Sequence, residues 1–165
     1  MFKRSRHNAT ESFLVVLLLT IFCCAIAIMI LQGSQTFKQI IEDKNTIEDL
    51  RIATSYINMI VAQNDSLDSI TVERSFLDKH SALVVEHSGD EAGFTTYIYC
   101  EDNYLWELYA VNGEQPDPAM AIKLVPAKAV AFDYDEQKHA IVVNYDYSYR
   151  NRAEHIQEIV ALKTR

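Results

Sequence analysis

Cysteine, proline and glycine are all scarce in this chain, which has 3, 3 and 4 of them among 165 residues. So few glycines and prolines exclude collagen-like and low-complexity chains, whose composition depends on these residues. Cys23 and Cys24 lie in an apolar run, and Cys100 is alone downstream of it. A single cysteine excludes an intramolecular disulfide and a cysteine-based metal site in that region. Its stability must therefore come from packing.

Charge is absent from residues 13–31, a run of nineteen residues that reads FLVVLLLTIFCCAIAIMIL. About 18 apolar residues, each adding about 1.5 Å of helix, suffice to cross a hydrocarbon core of about 30 Å. Only a helix satisfies every backbone polar group of such a segment in lipid. The run therefore predicts a transmembrane helix, and we assign the anchor to eight of its large apolar side chains: Phe13, Leu14, Leu17, Leu18, Ile21, Phe22, Ile26 and Ile30.

Positive charge is concentrated on the short segment before the run, at Lys3, Arg4 and Arg6. Such a flank is kept in the cytoplasm, which predicts a cytoplasmic N-terminus and an extracytoplasmic C-terminal domain at the cell membrane. A cleaved signal peptide is the alternative, but its apolar region is usually only about 7–15 residues long. Asn8 is expected to cap the helix, with Glu11 three residues later reaching back to it.

Beyond residue 31 the chain is acidic, with 12 basic and 22 acidic residues and hence a net charge of −10. This imbalance favours solubility and repels nucleic acid and anionic lipid head groups, so we expect no direct binding of nucleic acid. The acidic residues are scattered along the sequence, which is typical of a solvated surface.

Hydrophobic spacing indicates helix and then strands. Apolar residues recur at intervals of three and four between residues 36 and 62, although the polar stretch 42–46 is a possible break. From residue 70 the period changes to two, as in β-strands. The predicted strands are 70–73, 82–86, 94–100, 104–110, 120–125, 130–134, 139–145 and 159–163.

Short strands joined by short turns imply an antiparallel sheet, and the amphipathic helix 47–61 is the segment available to cover it. The predicted fold class is therefore α+β, with a long N-terminal helix, transmembrane and then amphipathic, packed on an antiparallel β-sheet. We divide the chain into a cytoplasmic basic tail, a transmembrane helix, an amphipathic extension and an external sheet domain: residues 1–12, 13–31, 32–63 and 64–165.

Several motifs give this sequence a family likeness. They are RIATSYI at 51–57, TTYIY at 95–99, LWEL at 105–108 and LKTR at 162–165. With these motifs the chain resembles an uncharacterised bacterial family of single-pass, type IV pilin- and pseudopilin-like proteins. The resemblance implies a pilin-like fold and a role in assembly. No glycine precedes the apolar run as it does in pilins, so the role of the pilin glutamate is not carried over to Glu11.

Candidate chemistry is sparse. The loop at His87, the pair His155 and Glu158 on a possible helix face, and Asp117 with Asp133 and Asp135 all contain metal-ligating types. None shows the ligand number or spacing of an established zinc, di-metal or calcium site. No phosphate-binding loop or nucleophile elbow is present in the sequence. We therefore predict no catalytic residue, no cofactor and no metal, and interpret the chain as a non-enzyme.

Aromatic residues alternate along the predicted strands, and alternation places them on one face of a strand. Tyr and Trp are favoured at interfaces, so a possible interaction surface consists of Tyr97, Tyr99, Trp106, Tyr145 and Tyr147. Cross-strand packing within the domain is the alternative for the same residues.

The predicted function is that of a membrane-anchored, non-enzymatic component of a secretion, pilus or DNA-uptake assembly. Its expected partners are the membrane, other pilin-like proteins and an assembly platform, reached through helix–helix and sheet-domain contacts. The alternative is a single-pass envelope domain that binds or senses a peptide or polymer. An anchored hydrolase is a third possibility, which requires a cluster of catalytic groups.

Overall fold

The computed structural model describes residues 4–66 and 69–163. The chain forms two compact units, an N-terminal unit that ends at Glu42 and a C-terminal unit that begins at Asp43. The N-terminal unit is helical throughout its described part. The C-terminal unit contains the last part of that helix and all of the described strands.

The element order is one helix followed by eight strands. Helix α1 spans Arg4–Asn64, and the strands are β1 Ile70–Phe76, β2 His80–Glu86, β3 Phe94–Glu101, β4 Tyr104–Val111, β5 Ile122–Pro126, β6 Ala129–Asp135, β7 Ala140–Tyr149 and β8 Arg152–Ala161. Two single turns of 3₁₀ helix, Gly89–Glu91 and Pro118–Met120, lie in the connections. This α+β architecture, a long N-terminal helix packed on antiparallel sheets, confirms the predicted fold class.

Helix α1 is longer than its sequence signals suggested. It begins at Arg4, so the prediction that Asn8 caps it is wrong. The polar stretch 42–46 does not break it either. Neither segment contains Pro or Gly, and each added helical residue gains one backbone hydrogen bond, which outweighs a weak local capping preference. The helix ends at Asn64, whose backbone carbonyl accepts a hydrogen bond from the Ser69 hydroxyl.

The strands form two antiparallel sheets, not the single sheet that we predicted. One sheet has five strands in the order β1-β2-β3-β4-β5, and the other has three in the order β6-β7-β8. Both sheets are simple meanders, in which each strand pairs with its neighbour in the sequence. The chain therefore changes sheets once, at the short connection between Pro126 and Ala129.

Two of the hairpins have two-residue turns in which neither residue is glycine. Asp102 and Asn103 join β3 to β4, and Arg150 and Asn151 join β7 to β8, all four with φ between 50° and 61°. Two-residue hairpin turns of type I′ need positive φ at both central positions, and Asn and Asp tolerate this conformation better than most residues. At three of these four positions, Asp or Asn stands where glycine would be favoured, and the fourth is Arg150.

Strand β8 is the largest departure from the sequence-based boundaries. It starts at Arg152 instead of residue 159, because backbone pairing with β7 continues as far as Tyr149 opposite Arg152. Most of its side chains are exposed, so the apolar alternation that marks a strand is missing from its first half. His155 and Glu158 therefore lie on a strand and point to opposite faces, not to one face of a helix.

The main core lies between the helix and both sheets. Ala53, Ile57 and Val61 of α1 are each no more than 2% exposed, which confirms that this helical face covers the sheets. The sheet residues that complete the core are Ile70, Leu83, Val85, Ile98, Leu105, Val125, Val130, Phe132, Ile141, Val143 and Tyr145. A smaller cluster of Phe76, Ala82, Tyr99 and Leu108 packs separately.

Candidate functional site

The charge-free run forms one continuous helical segment with an unusually apolar surface. All eight predicted anchor side chains are between 42% and 73% exposed: Phe13, Leu14, Leu17, Leu18, Ile21, Phe22, Ile26 and Ile30. Helix α1 is long enough and apolar enough from Glu11 onward to cross a membrane. A helix that is apolar on all sides is stable when it is surrounded by lipid or protein. The segment is thus compatible with single-pass anchoring.

Three residues of the proposed aromatic surface lie on the five-stranded sheet. Tyr99 pairs with Trp106 across β3 and β4, and Tyr97 shares their face two residues away. The ring of Phe76 stacks on the ring of Tyr97, with 4.7 Å between the ring centroids, and its centroid lies 5.1 Å from that of Tyr99. Tyr99 is only 1% exposed, so it stabilises the smaller apolar cluster and presents no surface to a partner in this structure.

The other two residues of that set lie on the three-stranded sheet. Tyr145 and Tyr147 occupy alternate positions of β7, with Tyr145 only 2% exposed and Tyr147 half-buried. The five aromatic side chains are therefore divided between two sheets. Tyr99 and Tyr145 pack within the domain, which is the alternative that the sequence analysis gave for these residues.

The polar candidates have local partners. His87 Nε2 lies 2.7 Å from Thr96 Oγ1, and its Nδ1 lies 3.4 Å from Glu91. Arg74 donates to Asp133 at 2.8 Å, and Asp135 accepts from the backbone of the turn that follows it. In the described parts of the chain, no group of three His, Cys, Asp or Glu side chains is arranged to hold a metal ion.

Polar contacts attach α1 to both sheets. On one side, the Tyr56 hydroxyl forms a hydrogen bond with Glu107 of β4, and burial raises the pKa of this tyrosine. On the other side, Asn58 Nδ2 donates to Glu158 Oε1 of β8 at 2.8 Å. The hydroxyl of Tyr145 lies 3.5 Å from the second oxygen of the same carboxylate.

Residues just before and just after β8, in the three-stranded sheet, also contact the helix. The backbone N–H of Arg150, in the β7–β8 turn, donates to Asp43 at 2.9 Å. The N–H of Lys163, just after β8, donates to Asp65 at 2.7 Å. Along the helix, Asp43, Asn58 and Asp65 contact Arg150, Glu158 and Lys163 in the same order. Strand β8 therefore runs alongside the C-terminal part of α1.

A groove of about 430 Å³ opens between α1, the β5–β6 connection and β7. Leu50 and Ala53 form its helical wall, Tyr145 and Tyr147 its strand wall, and the remaining wall is the segment Pro126–Val130. Three of these lining positions, 53, 127 and 129, are alanine, and their small side chains leave the space open. We call it the α1–β7 groove.

Three charged residues line the α1–β7 groove: Asp49, Lys128 and Asp146. Loss of hydration raises the pKa of the Asp49 carboxyl, and the negative charge of neighbouring Glu48 raises it further. Three other aspartates of this unit contact a basic side chain: Asp133 contacts Arg74, Asp135 contacts Lys138 and Asp146 contacts His155. Among the described residues, no such contact is formed by Asp49 or Lys128.

A family described as Domain of unknown function (DUF4860) matches residues 48–146. The matched segment is 99 of the 165 residues, which is more than half of the chain. The chain belongs to the DUF4860 family. No curated protein and no solved structure matches it.

The DUF4860 segment begins within α1 and ends within β7, so it contains the whole five-stranded sheet. It includes Asp49, Lys128 and Tyr145 of the α1–β7 groove, while Tyr147 lies one residue beyond it. Sequence reasoning did not identify Asp49 or Lys128. One signal was available for Asp49, because helical spacing places it next to the core-facing positions 50 and 53.

Proposed function

We propose that this protein is a single-pass membrane component of a pseudopilin-like assembly for secretion, pilus formation or DNA uptake, and that it acts without catalysis. The observation that carries the proposal is that two parts of α1 have different surroundings. Its charge-free segment exposes apolar side chains on all sides, while Ala53, Ile57 and Val61 further along the same helix are buried against two sheets.

Lipid is the environment that suits the charge-free segment. Removing a large apolar side chain from water stabilises by about 1.5–3 kcal/mol, so eight exposed residues favour insertion strongly. The basic residues before the run support a cytoplasmic N-terminus. This orientation places the acidic C-terminal unit outside the cytoplasm, where it meets the other members of the assembly.

Lateral association is the proposed mode of action. Helices in a membrane associate through close packing, and Ala25 and Ala27 in the charge-free segment permit moderately close approach. In the C-terminal unit, β5 and β8 are edge strands of their sheets. An edge strand offers unpaired backbone groups to a neighbouring chain.

Site-specific photo-crosslinking in living cells tests the proposal. A photoreactive amino acid at Leu18 or Ile26 is expected to give adducts with other small single-pass proteins, because both side chains are on the surface of the helix. The same group at Gln137, in the exposed turn between β6 and β7, is the control. Adducts with lipid alone at both helix positions would contradict an assembly role.

A binding domain anchored in the envelope is the second candidate function. The observation that favours it is the α1–β7 groove, because ligand sites are commonly concave, mostly apolar and supplied with a few polar groups. Its volume of about 430 Å³ lies within the range of about 300–1,000 Å³ typical of such sites.

A further inference from the structure

The α1–β7 groove combines an apolar lining with charges that have no partner in the described structure. Leu50, Ala53 and Pro126 provide apolar surface. Asp49 and Lys128 are the charged residues of the lining without a partner, whereas Asp146 is engaged with His155. A charged group that loses water without gaining a partner costs free energy. A ligand that supplies the missing partner recovers part of this cost on binding.

The carboxylate of Asp49 is the stronger recognition group of the two. It is half-buried on the groove wall, and the resulting loss of hydration raises the pKa of its carboxyl. The whole region beyond residue 31 has a net charge of −10, so its long-range field attracts cations and repels anions. An occupant with positive charge therefore complements both the groove and its surroundings.

Two tyrosine rings line the groove on the strand side. Tyr145 and Tyr147 are alternate residues of β7, so their side chains lie on the same face. Tyr145 is only 2% exposed and its hydroxyl is engaged with Glu158, so the half-buried ring of Tyr147 is the one available to an occupant. The negative face of an aromatic ring attracts ammonium and guanidinium groups. Tyr147 thus favours the same sign of charge as Asp49.

We propose that the α1–β7 groove binds a peptide segment of a partner protein in which a lysine or arginine is flanked by apolar residues. The basic group pairs with Asp49 beside the ring of Tyr147, and the apolar neighbours contact Leu50 and Ala53. Lys128 faces a backbone carbonyl or an acidic side chain of the same segment. This inference rests on the second candidate function, and it names the chemistry of the ligand.

The test uses three synthetic pentapeptides and the full-length protein in lipid nanodiscs. The first is acetyl-ALKLA-amide, and the others carry norleucine or glutamate at the central position. Binding is followed through the amide NMR signals of residues 127–130. We expect the lysine peptide to bind at least about fivefold more tightly than either of the others, a difference of about 1 kcal/mol.

Two matched substitutions locate the charge effect. Asp49→Asn is expected to remove the preference for lysine over norleucine. Glu48→Gln removes the same charge from the adjacent helical position, where the carboxylate is paired with Lys44 at 3.5 Å, and the preference should remain.

Ala127→Trp fills the groove from the loop and should weaken binding of all three peptides, with circular dichroism as the check on folding.

Three results would overturn the inference, and they are distinguishable. Equal binding of the lysine and norleucine peptides would show that the groove binds peptides but does not recognise positive charge. Equal effects of Asp49→Asn and Glu48→Gln would show that overall charge, and not this site, attracts the peptide. Failure of every peptide to bind would also count against the second candidate function.

Discussion

Asn58 of helix α1 donates a hydrogen bond of 2.8 Å to Glu158 of strand β8, a residue 100 positions further along the chain. The same carboxylate lies 3.5 Å from the hydroxyl of Tyr145 on β7. Tyr145 also forms a hydrogen bond with Thr54, one helical turn before Asn58. This small network joins the helix to the three-stranded sheet at a half-buried position.

Removing the Asn58 amide should destabilise the protein. Asn58→Ala leaves the Glu158 carboxylate short of a donor, and loss of one partner of a part-buried hydrogen bond costs about 1–3 kcal/mol. The control is Gln157→Ala, which removes an exposed cross-strand hydrogen bond of 2.9 Å to Asn144 and should cost no more than about 0.5 kcal/mol. Urea unfolding of the full-length protein in detergent measures both changes, and equal losses would show that the network adds no stability.

Alkaline pH should weaken the same network. Burial raises the pKa of Tyr145 to about 12, with a further contribution from the negative charge of Glu158. The unfolded tyrosine releases its proton near pH 10, so its contribution to stability is complete below pH 10 and is lost as the pH rises towards 12. Tyr145→Phe should therefore lose less stability than the natural protein between pH 9.5 and 11.5, by at most about 2 kcal/mol. If the free energies of unfolding of Tyr145→Phe and of the natural protein changed in parallel with pH, the raised pKa would not belong to Tyr145.

Two isoleucines on opposite sides of α1 should respond very differently to truncation. Ile57 is 0% exposed and contacts the core, whereas Ile52 is 55% exposed. Ile57→Ala removes buried methyl groups and leaves a cavity, which costs about 2–5 kcal/mol. Ile52→Ala should change the free energy of unfolding by less than about 0.5 kcal/mol. If the two variants unfolded at the same urea concentration, the helix would be packed through another face.

The β7–β8 turn offers a stabilising substitution. Arg150 has a φ of 51°, a conformation that costs most side chains about 1–2 kcal/mol and that Asn tolerates better. Arg150→Asn keeps the backbone bond to Asp43 and should raise the free energy of unfolding by about 0.5 kcal/mol. Arg152→Asn, two residues later within β8, should give no gain, because Asn is unfavourable in strands. The melting temperatures of the two variants compare them directly.

Local patterns in the sequence were sufficient for much of the fold. The hairpin of β3 and β4 was placed to within one residue at each end, because alternation and the Asp102-Asn103 turn both mark it. Helical spacing likewise identified the segment 47–61, whose residues Ala53, Ile57 and Val61 cover the sheets. Both signals depend on neighbours within a few residues, and such signals are visible in a single sequence.

Features that depend on distant contacts were not predictable in this way. The division into two sheets is decided by pairing between strands, and nothing in the residues around Ala127 marks the change. The early start of β8 follows from its register with β7, although its own side chains are exposed. The α1–β7 groove requires three segments, near positions 50, 127 and 146, to converge, so Asp49 and Lys128 were not identified in advance.

The central claim is that the charge-free segment stays in the membrane and holds the C-terminal unit outside the cytoplasm. Protease accessibility of the full-length protein in right-side-out and inside-out membrane vesicles, each washed with alkaline carbonate, tests it most directly. We expect protease to digest the C-terminal unit in right-side-out vesicles only, and to leave a carbonate-resistant N-terminal fragment. Release of a mature chain that begins after Leu31 into the soluble fraction would contradict the claim.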